Sequence, residues 1–288
     1  METCLITGAS GLLGREVAAA LAADYRVIPA GFSQAGPGQV RVDLRDPEAL
    51  RAALEEQAPD VVVHCAAYRE PDFCEQEPEE TRRLNVDPVR VMCDTLPAGV
   101  PLVLVSTDYV FDGETPPYRE DDPVNPLSEY GRSKVEGERI VLERESSLVM
   151  RIPLLIGAAP TLEASGFVAQ MKDLVLDRKL EELDDVLIRY PTWTRDVARA
   201  IRFLLSQPER GIFHFSSLRG GTRYGWTIEM AALLGVASDH LAPSQAVVPR
   251  IAVRPANSQL EPARLHAMGY RGFTDPIDAI RDILASFS

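Results

Sequence analysis

The chain has 288 residues, 45% of them hydrophobic and 25% charged, a composition that excludes a disordered or fibrous protein. Lys and Arg total 30 against 43 Asp and Glu, a formal charge of −13; a field of that sign repels phosphate backbones and anionic membranes, so neither is expected as a partner. No basic, apolar leader opens the chain and no apolar run approaches the ~20 residues of a membrane helix, so the expected location is cytoplasmic.

Residues 3–7 form an apolar run that predicts a strand, and residues 8–11 a turn. Over 12–23, Leu13, Val17 and Leu21 recur every fourth position, which puts them on one helical face. Strands follow at 25–30 and, after a Gly/Pro loop, at 40–42. Asp46 precedes Pro47 as an N-cap precedes N1, with Leu50 and Leu54 on the buried face of the helix it opens. Residues 61–65 are apolar without interruption, as in a strand covered on both faces. Further strands are predicted at 102–105 and 148–152, with helical stretches at 79–96 and 125–143 between them. Such alternation predicts a parallel sheet with right-handed crossovers. Beyond Pro153, breaks at Gly157, Pro160 and Gly166 loosen the rhythm; a helix at 196–205, a strand at 212–215 and helices at 224–234 and 276–285 follow.

Directly after the first strand comes Gly8-Ala9-Ser10-Gly11-Leu12-Leu13-Gly14. In a dinucleotide loop Gly8 permits the tight turn, Gly11 lets backbone N–H groups approach a pyrophosphate, and Gly14 lets helix and sheet pack closely. Its position between a predicted strand and helix separates it from a plain glycine turn. The expected fold class is therefore α/β: a Rossmann-type, doubly wound parallel sheet over residues 1–153, with 187–207 returning to it. A smaller C-terminal α+β substrate lobe takes 154–186 and 208–288.

An NAD site normally ends its second strand with a carboxylate on the ribose 2′-hydroxyl. Here that strand ends Ala30-Gly31-Phe32-Ser33-Gln34, with no acid. NADP is therefore expected ahead of NAD, its 2′-phosphate near Ser33 and Arg15. Asp43, the next acid, is expected either at the adenine amino group or as the opening of a turn into Asp46.

Tyr130 and Lys134 stand at i and i+4 on a predicted helix, so phenol and ammonium project from one face. The cation is expected to lower the phenol pKa, making Tyr130 a proton donor and acceptor. Ser106 and Thr107 put hydroxyls at the carboxyl end of the fifth strand, the edge of a parallel sheet where ligands bind. In the distal lobe Arg254 and Asn257 are candidates for a nucleotide diphosphate and Trp193 for a stacking surface; the plainer readings are an ion pair for Arg254 and a core contact for Trp193. The acidic cluster Glu181, Glu182, Asp184, Asp185 reads as a solvated face, and the scattered histidines lack metal-ligand spacing, so no metal is assigned. Cys4, Cys65, Cys74 and Cys93 make no CxxC pair and read as reduced.

In this order, the glycine loop, the strand-end threonine and Tyr-x-x-x-Lys resemble the extended short-chain dehydrogenase/reductase superfamily. Within it, Ser106-Thr107-Asp108-Tyr109-Val110-Phe111-Asp112-Gly113, Pro116, Tyr118, Glu120 and Tyr130-Gly131-Arg132-Ser133-Lys134 resemble the dTDP-4-dehydrorhamnose reductases, and Arg189-Tyr190-Pro191-Thr192 with Arg254-Pro255-Ala256-Asn257-Ser258 continue the likeness. The methionine adenosyltransferase regulatory β subunits are similar in His64-Cys65-Ala66-Ala67, Pro71-Asp72, Leu84-Asn85-Val86-Asp87 and Arg151-Ile152-Pro153. Two positions depart from the reductase pattern, Phe73 in the loop after the fourth strand and Leu154 where a sugar-contacting Trp is usual.

The resemblance implies hydride transfer between a nicotinamide and the carbonyl of a nucleotide-linked 4-keto-6-deoxysugar, with Tyr130 supplying the proton, Thr107 holding the oxygen and Lys134 on the nicotinamide ribose. It implies cofactor contacts from Ser10, Leu12, Leu13, Leu44, Cys65, Ala66, Ala67, Tyr68, Tyr130, Lys134 and Pro153, a substrate contact from Asp108, and a homodimer. The adenosyltransferase likeness implies instead a non-catalytic, NADP-binding subunit whose partner is methionine adenosyltransferase.

Overall fold

The computed structural model describes residues 1–32, 38–246 and 250–287. Among these, seven strands form one parallel sheet: β1 (Thr3–Thr7), β2 (Arg26–Gly31), β3 (Val40–Arg41), β4 (Val61–His64), β5 (Leu102–Thr107), β6 (Leu148–Ile152) and the later Gly211–His214. The first six lie in the spatial order 3-2-1-4-5-6, and Gly211–His214 adds to the outer edge of β6. The order reverses between β1 and β4, where Thr7 pairs with His64. In such Rossmann-like sheets a ligand crevice opens beyond the carboxyl ends of the two strands that flank the reversal.

Alternate strand residues serve opposite faces. Cys4, Ile6, Val61 and Val63 pack under α1 (Leu12–Leu21), together with Leu13, Val17 and Leu21. Leu5, Val62 and Leu104 pack on the other face with Leu50 and Leu54 of α2 (Pro47–Gln57). This double cover is why the strands read as unbroken apolar runs. The side chain of Asp46 accepts from the backbone N–H groups of Glu48 and Ala49 at 3.1 Å, as the Asp-Pro pair predicts. Removing that cap in Asp46→Ala is expected to cost about 1 kcal/mol, read as a lower urea midpoint at unchanged m value.

A short helix that was not predicted, α3 (Pro71–Gln76), precedes the span 79–96, which is itself two helices, α4 (Pro78–Asn85) and α5 (Asp87–Thr95); each of the three has a proline in its first turn. Proline lacks the N–H that a continuous helix requires, so Pro78 and Pro88 restart the helix rather than extend it. α6 (Glu129–Val141) opens later than predicted, at Ser128, whose hydroxyl accepts from the Gly131 N–H.

After β6 come β7 (Leu155–Ile156), α7 (Phe167–Leu176), β8 (Glu181–Asp184) and β9 (Thr192–Trp193), then α8 (Thr194–Leu205), which lays Val197, Ile201 and Leu204 against the α1 face of the large sheet. Gly211–His214, which the sequence assigns to the smaller lobe, is β10 and a member of the large sheet. Phe213 packs into the α1 and α8 core, with Leu265 of α10 (Ala263–Ala267) beside it. The lobe boundary at 208 is corrected accordingly, because the chain leaving α8 pairs at once with the free edge of β6. The smaller core gathers α7, α9 (Arg223–Leu234) and α11 (Pro276–Ala285) around Trp226 and Met230, with β11 (Leu241–Ser244) on β8 and β9 on β7. No helix among the described residues is long and apolar enough to cross a membrane.

Candidate functional site

The glycine loop lies at the reversal point. Gly8 has φ +65°, and a Cβ there would stand 2.8 Å from the backbone N of Ala66; one on Gly14 would stand 2.8 Å from the Ala9 Cα. Only glycine fits both positions, so β1, α1 and the loop after β4 close on one another. Gly11 is the exposed N-cap of α1 with no side-chain cap, and the helix carries no acid in its first turn. The first-turn N–H groups therefore face a space suited to an anion. These residues fit the pyrophosphate of a dinucleotide. Ser10 and Leu12 border this turn half-buried, whereas the side chain of Leu13 belongs to the core.

At the adenosine end the predicted contacts diverge. Ser33 lies outside the described residues. Arg15 donates to the Ser10 carbonyl at 2.7 Å and to the Ala158 carbonyl at 3.2 Å, toward the smaller lobe and not the end of β2. The Asp43 carboxylate is held by both Nε (2.9 Å) and Nη2 (2.8 Å) of Arg45, which keeps it below the usual carboxylate range. It also accepts the Arg45 backbone N–H at 3.0 Å, the turn that was one of the two expectations for it. The guanidinium carbons of Arg41 and Arg45 sit 5.6 and 5.9 Å from the Phe32 ring centroid, a basic edge that the sequence argument passed over. Leu44 is buried under the sheet.

Cys65, Ala66, Ala67 and Tyr68 continue from β4, half-buried. Their loop is fixed by a residue that the helical periodicity had hidden. Asn85 accepts the Tyr68 N–H at 2.8 Å and donates to the Tyr68 carbonyl at 2.9 Å and to the Ser133 hydroxyl at 3.1 Å. Its signal in the sequence was the Leu84-Asn85-Val86-Asp87 stretch shared with the adenosyltransferase β subunits. Pro153 is buried just beyond β6.

The catalytic candidates meet beside this loop. Thr107 ends β5, its hydroxyl donating to Asp108 Oδ1 at 3.1 Å and accepting from the Tyr109 N–H at 3.2 Å, and it is the hydroxyl that acts on the Tyr130 phenol of α6. Tyr109 stands edge-on to Tyr130, ring centroids 5.9 Å apart, because Gly131 lets α6 close on the Tyr109 carbonyl. Lys134, one turn along α6, is 3% exposed. The electrostatics differ from the expectation that Lys134 lowers the phenol pKa. Burial pushes Tyr130 up, and the Asp108 charge adds to it while the Thr107 hydrogen bond works the other way. Lys134 moves instead, down to about 8, because burial penalises its charged form. At neutral pH the phenol keeps its proton, the form required of a donor.

Asp108 is 4% exposed. Its carboxylate accepts from Thr107 at 3.1 Å and from the Ser258 hydroxyl of the smaller lobe. Arg254 makes a bidentate pair with Asp72 of α3 at 2.8 and 3.0 Å, so the ion-pair reading holds in this structure, although its partner belongs to the other lobe. Asn257 accepts from the Tyr190 hydroxyl at 3.3 Å. Trp193 lies in the smaller core, 7% exposed, with the Arg195 guanidinium 4.5 Å from its ring centroid. It offers no free face for stacking, which corrects the substrate role expected of it. Asp184 accepts from two backbone N–H groups and Asp185 from Thr222; no metal-binding group of His, Cys, Asp or Glu is found among the described residues.

The family profile described as RmlD substrate binding domain matches residues 1–287. The Danio rerio protein named methionine adenosyltransferase 2 subunit beta is 39% identical, over 98% of this chain and 90% of its own length. The Streptomyces griseus dTDP-4-dehydrorhamnose reductase is 36% identical, over 92% and 87%. Among solved structures, the Bacillus anthracis dTDP-4-dehydrorhamnose reductase in complex with NADP superposes with a TM-score of 0.88 at 24% identity, covering 99% of each chain; at that identity the likeness concerns the fold.

Proposed function

The chain belongs to the RmlD substrate-binding-domain family, and on that premise we propose that it is an NADP-dependent reductase of a nucleotide-linked 4-keto-6-deoxysugar. The observation that carries this reading is the convergence of the Thr107 hydroxyl at the carboxyl end of β5, which acts on the Tyr130 phenol of α6, with Lys134 buried one turn on and the glycine loop at the reversal of the same sheet. Gly8, Gly11 and Gly14 would hold the pyrophosphate on the first turn of α1, with the loop of Ala66 and Ala67 and with Pro153 beside the nicotinamide half. A bound NADPH supplies the hydride. Tyr130 gives its phenolic proton to the substrate oxygen, and burial keeps that proton in place until the substrate arrives. Lys134, whose pKa burial brings down to about 8, would hold the ribose hydroxyls and, in its protonated form, stabilise the phenolate left behind. The sugar nucleotide would lie between Tyr109 and the smaller lobe, where Arg189 faces the Tyr109 ring at 5.9 Å. Four free cysteines suit a reducing compartment, and we assign the cytoplasm.

The decisive assay follows NADPH absorbance with dTDP-4-keto-6-deoxymannose and a panel of other nucleotide ketosugars. Turnover on at least one is expected, with NADPH bound at least about tenfold more tightly than NADH, as an acid-free end of β2 allows. Equal affinities would defeat the cofactor preference. A second reading, a regulatory subunit of methionine adenosyltransferase, is favoured by the 39% identity to the Danio rerio protein. It predicts no turnover on any ketosugar, with co-purification of an adenosyltransferase.

A further inference from the structure

The end of β2 adjoins the glycine loop. A Cβ on Gly31, the last residue of that strand, would stand 3.9 Å from the Ser10 hydroxyl oxygen, so the space above Gly31 is continuous with the turn suited to a pyrophosphate. In a dinucleotide fold the adenosine ribose spans that distance, and its 2′ position is read at the end of the second strand. The side chain that stands there comes from β3. Arg41, its last residue, is the register partner of Gly31, which has no side chain to screen it. Phe32 follows Gly31 with its ring 43% exposed, and the guanidinium carbons of Arg41 and Arg45 lie 5.6 and 5.9 Å from the ring centroid, within cation–π reach.

These two cations are not equivalent. Arg45 is neutralised by its bidentate pair with Asp43, and Glu80, itself paired with Arg83 at 2.7 Å, lies 3.8 Å from its Nη1. Arg41 is exposed and enters no ion pair among the described residues. It carries the uncompensated positive charge of this edge. A guanidinium only donates, in a fork that matches phosphate oxygens, so it gains far more from a phosphate dianion than from a neutral hydroxyl. Arg15, the cation that the sequence offered for this phosphate, is drawn away to the Ser10 and Ala158 carbonyls.

We propose that Arg41, braced by the Phe32 ring, is the residue that selects NADP over NAD by binding the 2′-phosphate. This assignment rests on the cofactor preference stated above but not on turnover, so Arg41 acts alike in a reductase and in a regulatory subunit that binds NADP. The selecting charge has moved one strand along the sheet, from the end of β2 to the end of β3.

Isothermal titration calorimetry with 2′,5′-ADP and 5′-AMP tests this, because the two ligands differ only in the 2′-phosphate and neither reaches the nicotinamide end. The parent is expected to bind 2′,5′-ADP at least about tenfold more tightly than 5′-AMP, the worth of one charge-assisted hydrogen bond. Arg41→Gln is expected to bring the two affinities within about twofold of each other, with 5′-AMP binding unchanged. Arg41 lies exposed at a strand end, so this variant leaves the core intact. Arg41→Lys keeps the charge without the fork and is expected to retain part of the preference. Added salt is expected to erode the preference of the parent and to leave Arg41→Gln unaffected, as for an exposed charge pair. Phe32→Leu is expected to weaken 2′,5′-ADP by about threefold through loss of the brace. Arg15→Gln is expected to leave the ratio of the two affinities as it is in the parent. A preference that survives in Arg41→Gln, or one that collapses equally in Arg15→Gln, overturns the assignment to Arg41. Equal binding of the two ligands by the parent overturns the NADP preference itself, before any variant is considered.

Discussion

Tyr130→Phe is expected to lower kcat by about 10²- to 10⁴-fold while the Kd for NADPH rises by no more than about tenfold, the worth of one hydrogen bond, because the glycine loop is untouched. The ring stays packed edge-on to Tyr109 and α6 keeps its Ser128 cap, so the variant should fold. Its stability is expected to change by no more than about 1 kcal/mol, the net worth of one hydrogen bond. Stopped-flow turnover and fluorescence titration of NADPH separate the two quantities. Unchanged kcat would put the proton on another group and end the catalytic assignment of Tyr130. Loss of NADPH binding in parallel would make Tyr130 a structural residue of the cofactor pocket.

Arg151→Leu carries the largest expected stability effect. Arg151 on β6 and Glu138 on α6 are each 3% exposed and pair through Nε–Oε1 at 3.0 Å and Nη2–Oε2 at 2.8 Å. Ser106 also donates to Glu138, the Arg151 Nη1 lies 3.3 Å from the His214 ring nitrogen Nε2, and its guanidinium sits 5.2 Å from the Phe111 centroid. Removing the cation leaves an uncompensated buried carboxylate at a cost of about 3–5 kcal/mol, so Tm should fall by roughly 6–20 °C at the 2–4 °C per kcal/mol of a chain this size. The double variant Arg151→Leu with Glu138→Leu should recover most of that loss, because apolar side chains of similar volume replace both charges. Urea denaturation of the three proteins checks this, and a single-variant loss below about 1 kcal/mol would mean that water reaches the pair. Glu138 lies one turn beyond Lys134 on the same helix, so the pair also fixes how α6 presents Tyr130 and Lys134 to the end of β5.

Much of the frame was legible because it depends on local periodicity. The bounds of β1, β6 and α11 follow from apolar runs and from the Asp275-Pro276 start, whose carboxylate accepts from the Ile277 N–H. The glycine loop and the i, i+4 placement of Tyr130 and Lys134 were legible for the same reason. Charge and contact across the fold were not. Spacing alone put an ammonium beside a phenol and suggested a lowered pKa, but burial, which depends on the whole fold, dominates at both residues and drives them in the opposite sense from mutual activation. Arg254 was open between a diphosphate contact and an ion pair, and Trp193 between a stacking surface and a core contact, because either side chain serves both purposes well. Asp72 and the smaller core, remote in sequence, supply their actual neighbours.

Sequence by itself determined most strands and helices of the large sheet and its cover, that the sheet is parallel with a glycine turn after its first strand, and which residues form the Thr-Tyr-Lys set. Each of these is written in the period of one element or the chemistry of one turn. Only the tertiary structure decided that β10 joins the large sheet, that Arg45 holds Asp43, and that Ser258 reaches across from the smaller lobe to Asp108 beside Thr107. Those contacts join residues far apart along the chain, and burial and partner choice at such distances are set by packing between elements, which no local pattern encodes.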